Sequence, residues 1–275
     1  MEKQKIGLLV NEVRKKVPLV HNITNYVTVN DCANAILAIG ASPIMADDSA
    51  EAADITTISK ALVLNIGTLN KRTVESMIIS GKKANELGIP VIFDPVGAGA
   101  SAFRNETTQK ILKEVKIAII RANLSEMSYI AGLEVSTKGV DASEADANHD
   151  ATKVAKTVAG TYDCVAAITG AIDVISDGTQ FVRLSNGVSL LSKVTGTGCM
   201  TSALVGAFAG AASESEDFSY LHAACAGIAS MSIAGELAFE KSAEQGTGSF
   251  HISIIDYLSK MDDKIMNERI KIETE

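Results

Sequence analysis

Asp94, Arg121 and Thr169 share one property: each closes or nearly closes a short run of apolar residues. Asn123-Leu124-Ser125-Glu126 follows directly on the second of these runs, and Gly196-Thr197-Gly198-Cys199 opens a long stretch of small residues. These residue types define a chemistry. Asp94 and Glu126 are two carboxylates able to serve a hard cation, because Mg²⁺ takes one or two carboxylates together with phosphate oxygens. Arg121 is an anion partner that stays charged. A Gly-rich turn at a helix start leaves backbone N–H groups free at the positive end of the helix dipole, where an anion binds. On one rim these groups make a site for a metal-bound phosphate chain. Each also has a plainer reading. Asn123 or Ser125 with Glu126 is a helix-start signal, Asp94 before Pro95-Val96-Gly97-Ala98-Gly99 can cap a turn, and a GxG can be only a tight turn.

The elements that must position these residues are legible as continuous apolar runs rather than alternating ones. Leu62-Val63-Leu64-Asn65-Ile66-Gly67, Val91-Ile92-Phe93-Asp94-Pro95, Ile117 to Asn123 and Val165 to Gly170 read as strands buried on both faces, as in a parallel sheet. In such a sheet ligands bind at the carboxyl ends of the strands, where the polar residues stand. Thr73 to Leu87 and Thr107 to Val115 read as intervening helices, the first closed by Gly88 and Pro90. From Asp173 to Lys193 the pattern turns to polar alternation with Asp177-Gly178 and Asn186-Gly187, which predicts antiparallel strands on one side of the sheet. Cys199 to Ala212 and Phe218 to Phe239 read as close-packing helices rich in Ala and Gly. Val135 to His149, with several acidic residues, reads as a solvated loop or helix start. No repeat or linker divides residues 1–275, which read as a single α/β domain.

Composition excludes several classes. Hydrophobic residues make up 47% and charged ones 21%, the opposite of a disordered chain. A net charge of -8, with Arg14-Lys15-Lys16 the one short basic patch, argues against a nucleic-acid partner. The 4 Cys have no CxxC or paired spacing, so neither a zinc site nor a disulfide framework is indicated, and reduced thiols point to the cytoplasm. The N-terminal segment lacks the apolar core of a signal peptide, and Met200 to Ala212 is too short to cross a membrane. No GxxxxGK[ST] occurs, nor a GxGxxG after a first strand, so neither a Walker-type site nor a dinucleotide fold is matched. His149, His222 and His251 read as core or surface residues, and Asp47-Asp48 reads as a solvated pair.

Taken together, the Asn123-Leu124-Ser125-Glu126 segment, the strand end Phe93 to Gly99 and the Gly196 to Cys199 turn resemble the ribokinase-like superfamily of small-molecule kinases. His21-Asn22-Ile23-Thr24-Asn25-Tyr26-Val27 and Gly40 to Ala46 narrow the resemblance, over about Val17 to Met261, to the hydroxyethylthiazole kinases of thiamine salvage. The resemblance implies a ribokinase-like three-layer αβα fold with a mostly parallel central sheet. It implies ATP-dependent phosphorylation of the hydroxyl of 4-methyl-5-(2-hydroxyethyl)thiazole, with Mg²⁺, in a homotrimer whose active sites lie between subunits. By position, Met45, Gly196 and Asn25 meet the substrate, Arg121 and Thr169 the ATP phosphates, and Asp94 and Glu126 the metal and phosphate.

Cys199 stands where the wider superfamily usually carries an aspartate as general base, and hydroxyethylthiazole kinases typically carry Cys there. A thiol with a reference pKa of about 8.5 is a weak base at neutral pH. A loose phosphoryl-transfer transition state needs little proton removal before the barrier, so the expectation is that Cys199 orients the hydroxyl and accepts its proton late. The rivals of the same fold are a hydroxymethylpyrimidine kinase and the dehydratase that repairs hydrated nicotinamide cofactors; a non-catalytic sensor is the rival of another class. With 7 Phe, 5 Tyr and no Trp, adenine and thiazole are expected against aliphatic and Met side chains rather than stacked on rings.

Overall fold

The computed structural model describes residues 2–133 and 150–274, so the acidic stretch expected as a loop over residues 135–149 lies outside the described residues. In chain order the elements are α1 (Glu2–Lys16), β1 (Leu19–Ile23), α2 (Val29–Ile39), β2 (Ser42–Ile44), α3 (Ala52–Thr57), β3 (Ala61–Asn65), α4 (Lys71–Leu87), β4 (Val91–Asp94), α5 (Ala102–Glu114), β5 (Ile119–Asn123), α6 (Leu124–Ile130), α7 (Ala151–Tyr162), β6 (Val165–Thr169), β7 (Asp173–Ser176), β8 (Phe181–Leu184), α8 (Thr197–Ala212), α9 (Tyr220–Ser242), α10 (Thr247–Lys260), α11 (Asp263–Arg269) and β9 (Ile272–Thr274). Two of the helices start earlier than their apolar patterns suggest, because good caps stand upstream. The Asn70 side chain accepts from Thr73 N at 3.0 Å ahead of α4, and the Ser101 hydroxyl accepts from Arg104 N at 3.3 Å ahead of α5.

The strands form one sheet in the order β2-β1-β3-β4-β5-β6-β7-β8-β9. From β2 to β6 all pairings are parallel, and from β6 to β9 all are antiparallel. The apolar runs are continuous because both faces are covered. Val63, Ile92 and Ile119 pack into one core with α1, α2 and α8 to α11, whereas Leu62, Leu64, Phe93 and Ile120 pack into a second core with α4 to α7.

One hairpin expectation holds and the other does not. Asp177-Gly178 turns β7 into β8. Asn186-Gly187 instead leaves the sheet, and the last antiparallel strand is β9, from far along the chain. The Asn186 side chain is what joins the two: its amide donates to Glu236 and to the Arg269 carbonyl at 2.9 Å, and its oxygen accepts from Lys271 N at 2.7 Å.

Helix α8 is buried from Met200 to Ala212, and α9 lies against it. By length and composition alone Tyr220–Ser242 could cross a membrane, but 94% of its apolar window is buried inside the fold, as befits a core helix. Small residues make the contact possible. A Cβ added at Gly227 would lie 2.7 Å from the backbone N and Cα of Val205, atoms that cannot move without shifting α8. Gly227→Ala should therefore lose stability by about 1–3 kcal/mol through overpacking, although Ala is the better helix former. Denaturant unfolding checks this, and a midpoint equal to or above that of the parent would contradict the close approach of the two helices.

Candidate active site

Sheet register assembles the site. Parallel pairing sets Asn65 beside Asp94 and Asn123 beside Thr169, and residues so aligned point to the same face. Asn65, Asp94 and Arg121 each lie two residues beyond Val63, Ile92 and Ile119, so all three project toward the α8 side at the carboxyl ends of their strands. The start of α8 lies over this row, and Cys199 and Ser202, one turn apart, both reach it.

Asp94 is the centre of the row, with 1% of its surface exposed. Its Oδ2 accepts from Asn65 Nδ2 at 2.8 Å and from Ser202 Oγ at 2.7 Å, and Arg121 Nη1 lies 3.7 Å away. Its Oδ1 is buried without a partner. Burial pushes the carboxyl upward, against the pull of Arg121, Ser202 and Asn65. A buried acceptor left open beside others that are satisfied fits a hard cation. Among the described residues no three His, Cys, Asp or Glu side chains cluster as a metal cage, which suits an ion held mainly by water and phosphate oxygens.

Glu126 unites its two sequence readings. It completes a capping box with Asn123, whose Oδ1 accepts from Glu126 N at 2.8 Å while Glu126 Oε2 accepts from Asn123 N at 3.0 Å. Its Oε1 accepts from Gly97 N at 2.7 Å, so it also ties the loop after β4 to β5. Burial and neighbouring Asp94 push it up to about 7, against those two backbone bonds. With both oxygens engaged, Glu126 is suited to holding a cation's water rather than the cation itself.

Cys199 sits under two amide donors, Asn25 Nδ2 at 3.2 Å and Asn65 Nδ2 at 3.4 Å. The same Asn25 nitrogen donates to Asn65 Oδ1 at 3.0 Å. A helix start favours a thiolate, yet burial outweighs it here and Asp94 adds to the effect; the thiol is raised, against hydrogen bonds from Thr28 and Asn25.

Arg121 Nη2 donates to Thr169 Oγ1 at 2.5 Å, which aims the guanidinium along the strand ends. A cleft of about 560 Å³ opens beside them, lined by Arg121, Thr169, Gly198, Val188, Ile228 and Met231 among others, with no aromatic side chain. A Cβ at Gly198 would stand 3.0 Å from Arg121 Nη1, so the turn packs closely against the guanidinium and a larger residue would have to push it aside. Asp173 in the same cleft accepts from Gly170 N at 3.0 Å and is pushed up to about 6 by burial.

Residues 10–264 match the model of the Hydroxyethylthiazole kinase family. The chain belongs to that family. It is 64% identical to the hydroxyethylthiazole kinase of Ruminiclostridium cellulolyticum over 98% of this chain and 97% of the relative. The solved hydroxyethylthiazole kinase of Pyrococcus horikoshii superposes with a TM-score of 0.87 at 36% identity, covering 98% of each chain. A ribokinase-like superfamily protein of Enterococcus faecalis, 8% identical, shares the fold alone, with a TM-score of 0.61 over 91% of this chain and 89% of that one.

Of the residues expected in this hydroxyethylthiazole kinase site, Asn25, Asp94, Arg121, Glu126, Thr169 and Cys199 converge. Gly196 caps α8 at φ 88, where a Cβ would come 2.9 Å from Thr28 Cγ2. Met45 lies just beyond β2, half-buried and packed against the α8-side core. His21, also in the segment that carried the resemblance, is structural. It is buried between Thr56 Oγ1 at 2.9 Å and the Ala46 carbonyl at 2.7 Å, and burial lowers its pKa. Sequence reasoning missed Asn65 and Ser202. Asn65 offered the same signal as Asp94, a polar residue near the end of a buried run, and Ser202 stands three residues after Cys199 on one helix face.

Proposed function

We propose that this chain phosphorylates the hydroxyl of 4-methyl-5-(2-hydroxyethyl)thiazole with ATP as co-substrate and Mg²⁺ as the metal. The observation that carries the reading is the Cys199 thiol, held by paired amides of which Asn65 also donates to Asp94, whose Oδ1 is left open. Arg121, Thr169 and the N–H groups of the first turn of α8 hold the phosphates, and Asp94 Oδ1, with Glu126 through water, holds the metal. Mg²⁺ bound there would supply charge neutralisation for the phosphates. Cys199 and Asn25 orient the substrate hydroxyl, and Met45 and Gly196 bound the thiazole. Val188, Ile228 and Met231 offer adenine an aliphatic surface, in keeping with a chain poor in aromatics.

The working unit is a homotrimer of single ribokinase-like domains in the cytoplasm, with the site shared between subunits. Two features support the shared site. Tyr26 and Val27, directly after Asn25, are 78% and 54% exposed, and the edge strand β2 is half-buried at every position. An apolar surface of that kind beside a site suits a covering partner. Cys32, Cys164, Cys199 and Cys225, none of them in a disulfide, suit a reducing compartment.

A coupled ADP-release assay with the thiazole alcohol and the hydroxymethyl pyrimidine side by side tests the activity. Thiazole-dependent turnover with Mg-ATP is expected, and turnover with the pyrimidine alone would replace this reading with the rival kinase.

A further inference from the structure

Arg104, on α5, projects away from solvent toward the ends of two strands. Its Nη1 donates to the carbonyls of Ile66 at 2.6 Å and Val96 at 2.5 Å, and its Nη2 donates to the Gly67 carbonyl at 2.8 Å. One guanidinium therefore ties the loop after β3 to the loop after β4. Carbonyls this numerous around one cation are a costly use of an arginine unless the fixed geometry matters, because charge-assisted bonds of this fork type specify direction as well as energy.

The direction is toward the reacting centre. Gly67, held by its carbonyl, donates its N–H to Asn65 Oδ1 at 2.9 Å. It also packs directly under Asn25, since a Cβ on Gly67 would lie 2.7 Å from Asn25 Nδ2. Asn25 and Asn65 are the two amides that donate to Cys199 Sγ. The Oδ1 of Asn65 takes both Gly67 N–H and Asn25 Nδ2, which fixes the flip of the Asn65 amide and leaves its Nδ2 for Asp94 and the thiol.

We infer that Arg104 is a positioning residue for phosphoryl transfer: through Gly67 it holds the Asn25–Asn65 amide pair against Cys199. The inference rests on the reading of Cys199 as the group that meets the substrate hydroxyl. Arg104 itself touches neither substrate nor phosphate.

The test uses the full-length enzyme with Arg104→Ala and Arg104→Lys, each measured for thermal unfolding, kcat and both KM values. A loosened amide pair misplaces the thiol by a fraction of an ångström to an ångström, so kcat should fall about 3- to 10-fold, no further than loss of the thiol itself takes it. KM for ATP should stay within about twofold, since the phosphate-holding residues lie on other loops. Guanidinium ion, added at a non-denaturing concentration, should restore part of the kcat of Arg104→Ala and none of that of Arg104→Lys, whose ammonium occupies the space without the fork. Arg104→Ala should also cost little further on top of Cys199→Ala, because both act on one unit. A folded Arg104→Ala with parental kcat overturns the inference. If that variant does not fold, parental kcat in Arg104→Lys overturns it, and so do losses in Arg104→Ala and Cys199→Ala that multiply in full. A parent enzyme without thiazole-dependent turnover would instead remove the reading of the site, which separates the two failures.

Discussion

Asp94→Asn is expected to cut kcat by about 10²- to 10³-fold, the scale seen when one group that stabilises transition-state charge is removed. The substitution is nearly isosteric, and Asn65 Nδ2 and Ser202 Oγ can still donate to the remaining oxygen. That arrangement turns the new amide nitrogen to the position of Oδ1, the buried oxygen that has no protein partner. An acceptor for a hard cation is thereby exchanged for a donor that repels it. The Mg²⁺ concentration needed for half-maximal rate should rise in the same variant, whereas KM for the thiazole alcohol should stay within about twofold because Asp94 does not bound that pocket. Steady-state kinetics across a Mg²⁺ titration, with a thermal melt to establish folding, decide the matter. A folded Asp94→Asn with a kcat near the parental one would take Asp94 out of the metal site.

That Asp94 stands out in the sequence reflects a general property of buried parallel strands. Each strand is apolar on both faces, so the first polar residue at its carboxyl end stands out, as Asp94, Arg121 and Thr169 do. What sequence does not reveal is which of those residues share a face. Asn65 ends its strand as Asp94 does, but only the register that sets the two side by side gives it a role. Arg104 offered no signal at all, because its three partners are carbonyls of loops about 8 and 38 residues away and carbonyls have no residue type. Asn186-Gly187 is the opposite case. It has the turn chemistry of a hairpin, and the tertiary pull of Glu236 and the segment at Lys271 takes the chain elsewhere. Cys199 was legible as a residue but not in its protonation, which depends on how completely the fold covers it.

The raised thiol decides what Cys199 can do and how to detect it. Burial and Asp94 hold the proton on sulfur at neutral pH, against the Thr28 and Asn25 hydrogen bonds. A proton acceptor in that state works only through its thiolate fraction, which grows tenfold per pH unit below the thiol's pKa. If Cys199 takes the substrate proton, kcat should climb with pH through the neutral and mildly alkaline range. Cys199→Ala should lose both the slope and roughly tenfold in rate, less than the 10²- to 10⁴-fold of a full general base, because a loose transition state defers the transfer. Cys199→Asp should keep or exceed the parental kcat. A carboxyl there meets the same burial and the same Asp94, so its pKa also rises, but it starts several units lower than a thiol. Its profile should therefore level off at a lower pH than the parental one. A parental kcat independent of pH, with Cys199→Ala still slower, would leave the thiol the task of orienting the hydroxyl alone, and an alanine variant of unchanged kcat would remove Cys199 from the mechanism.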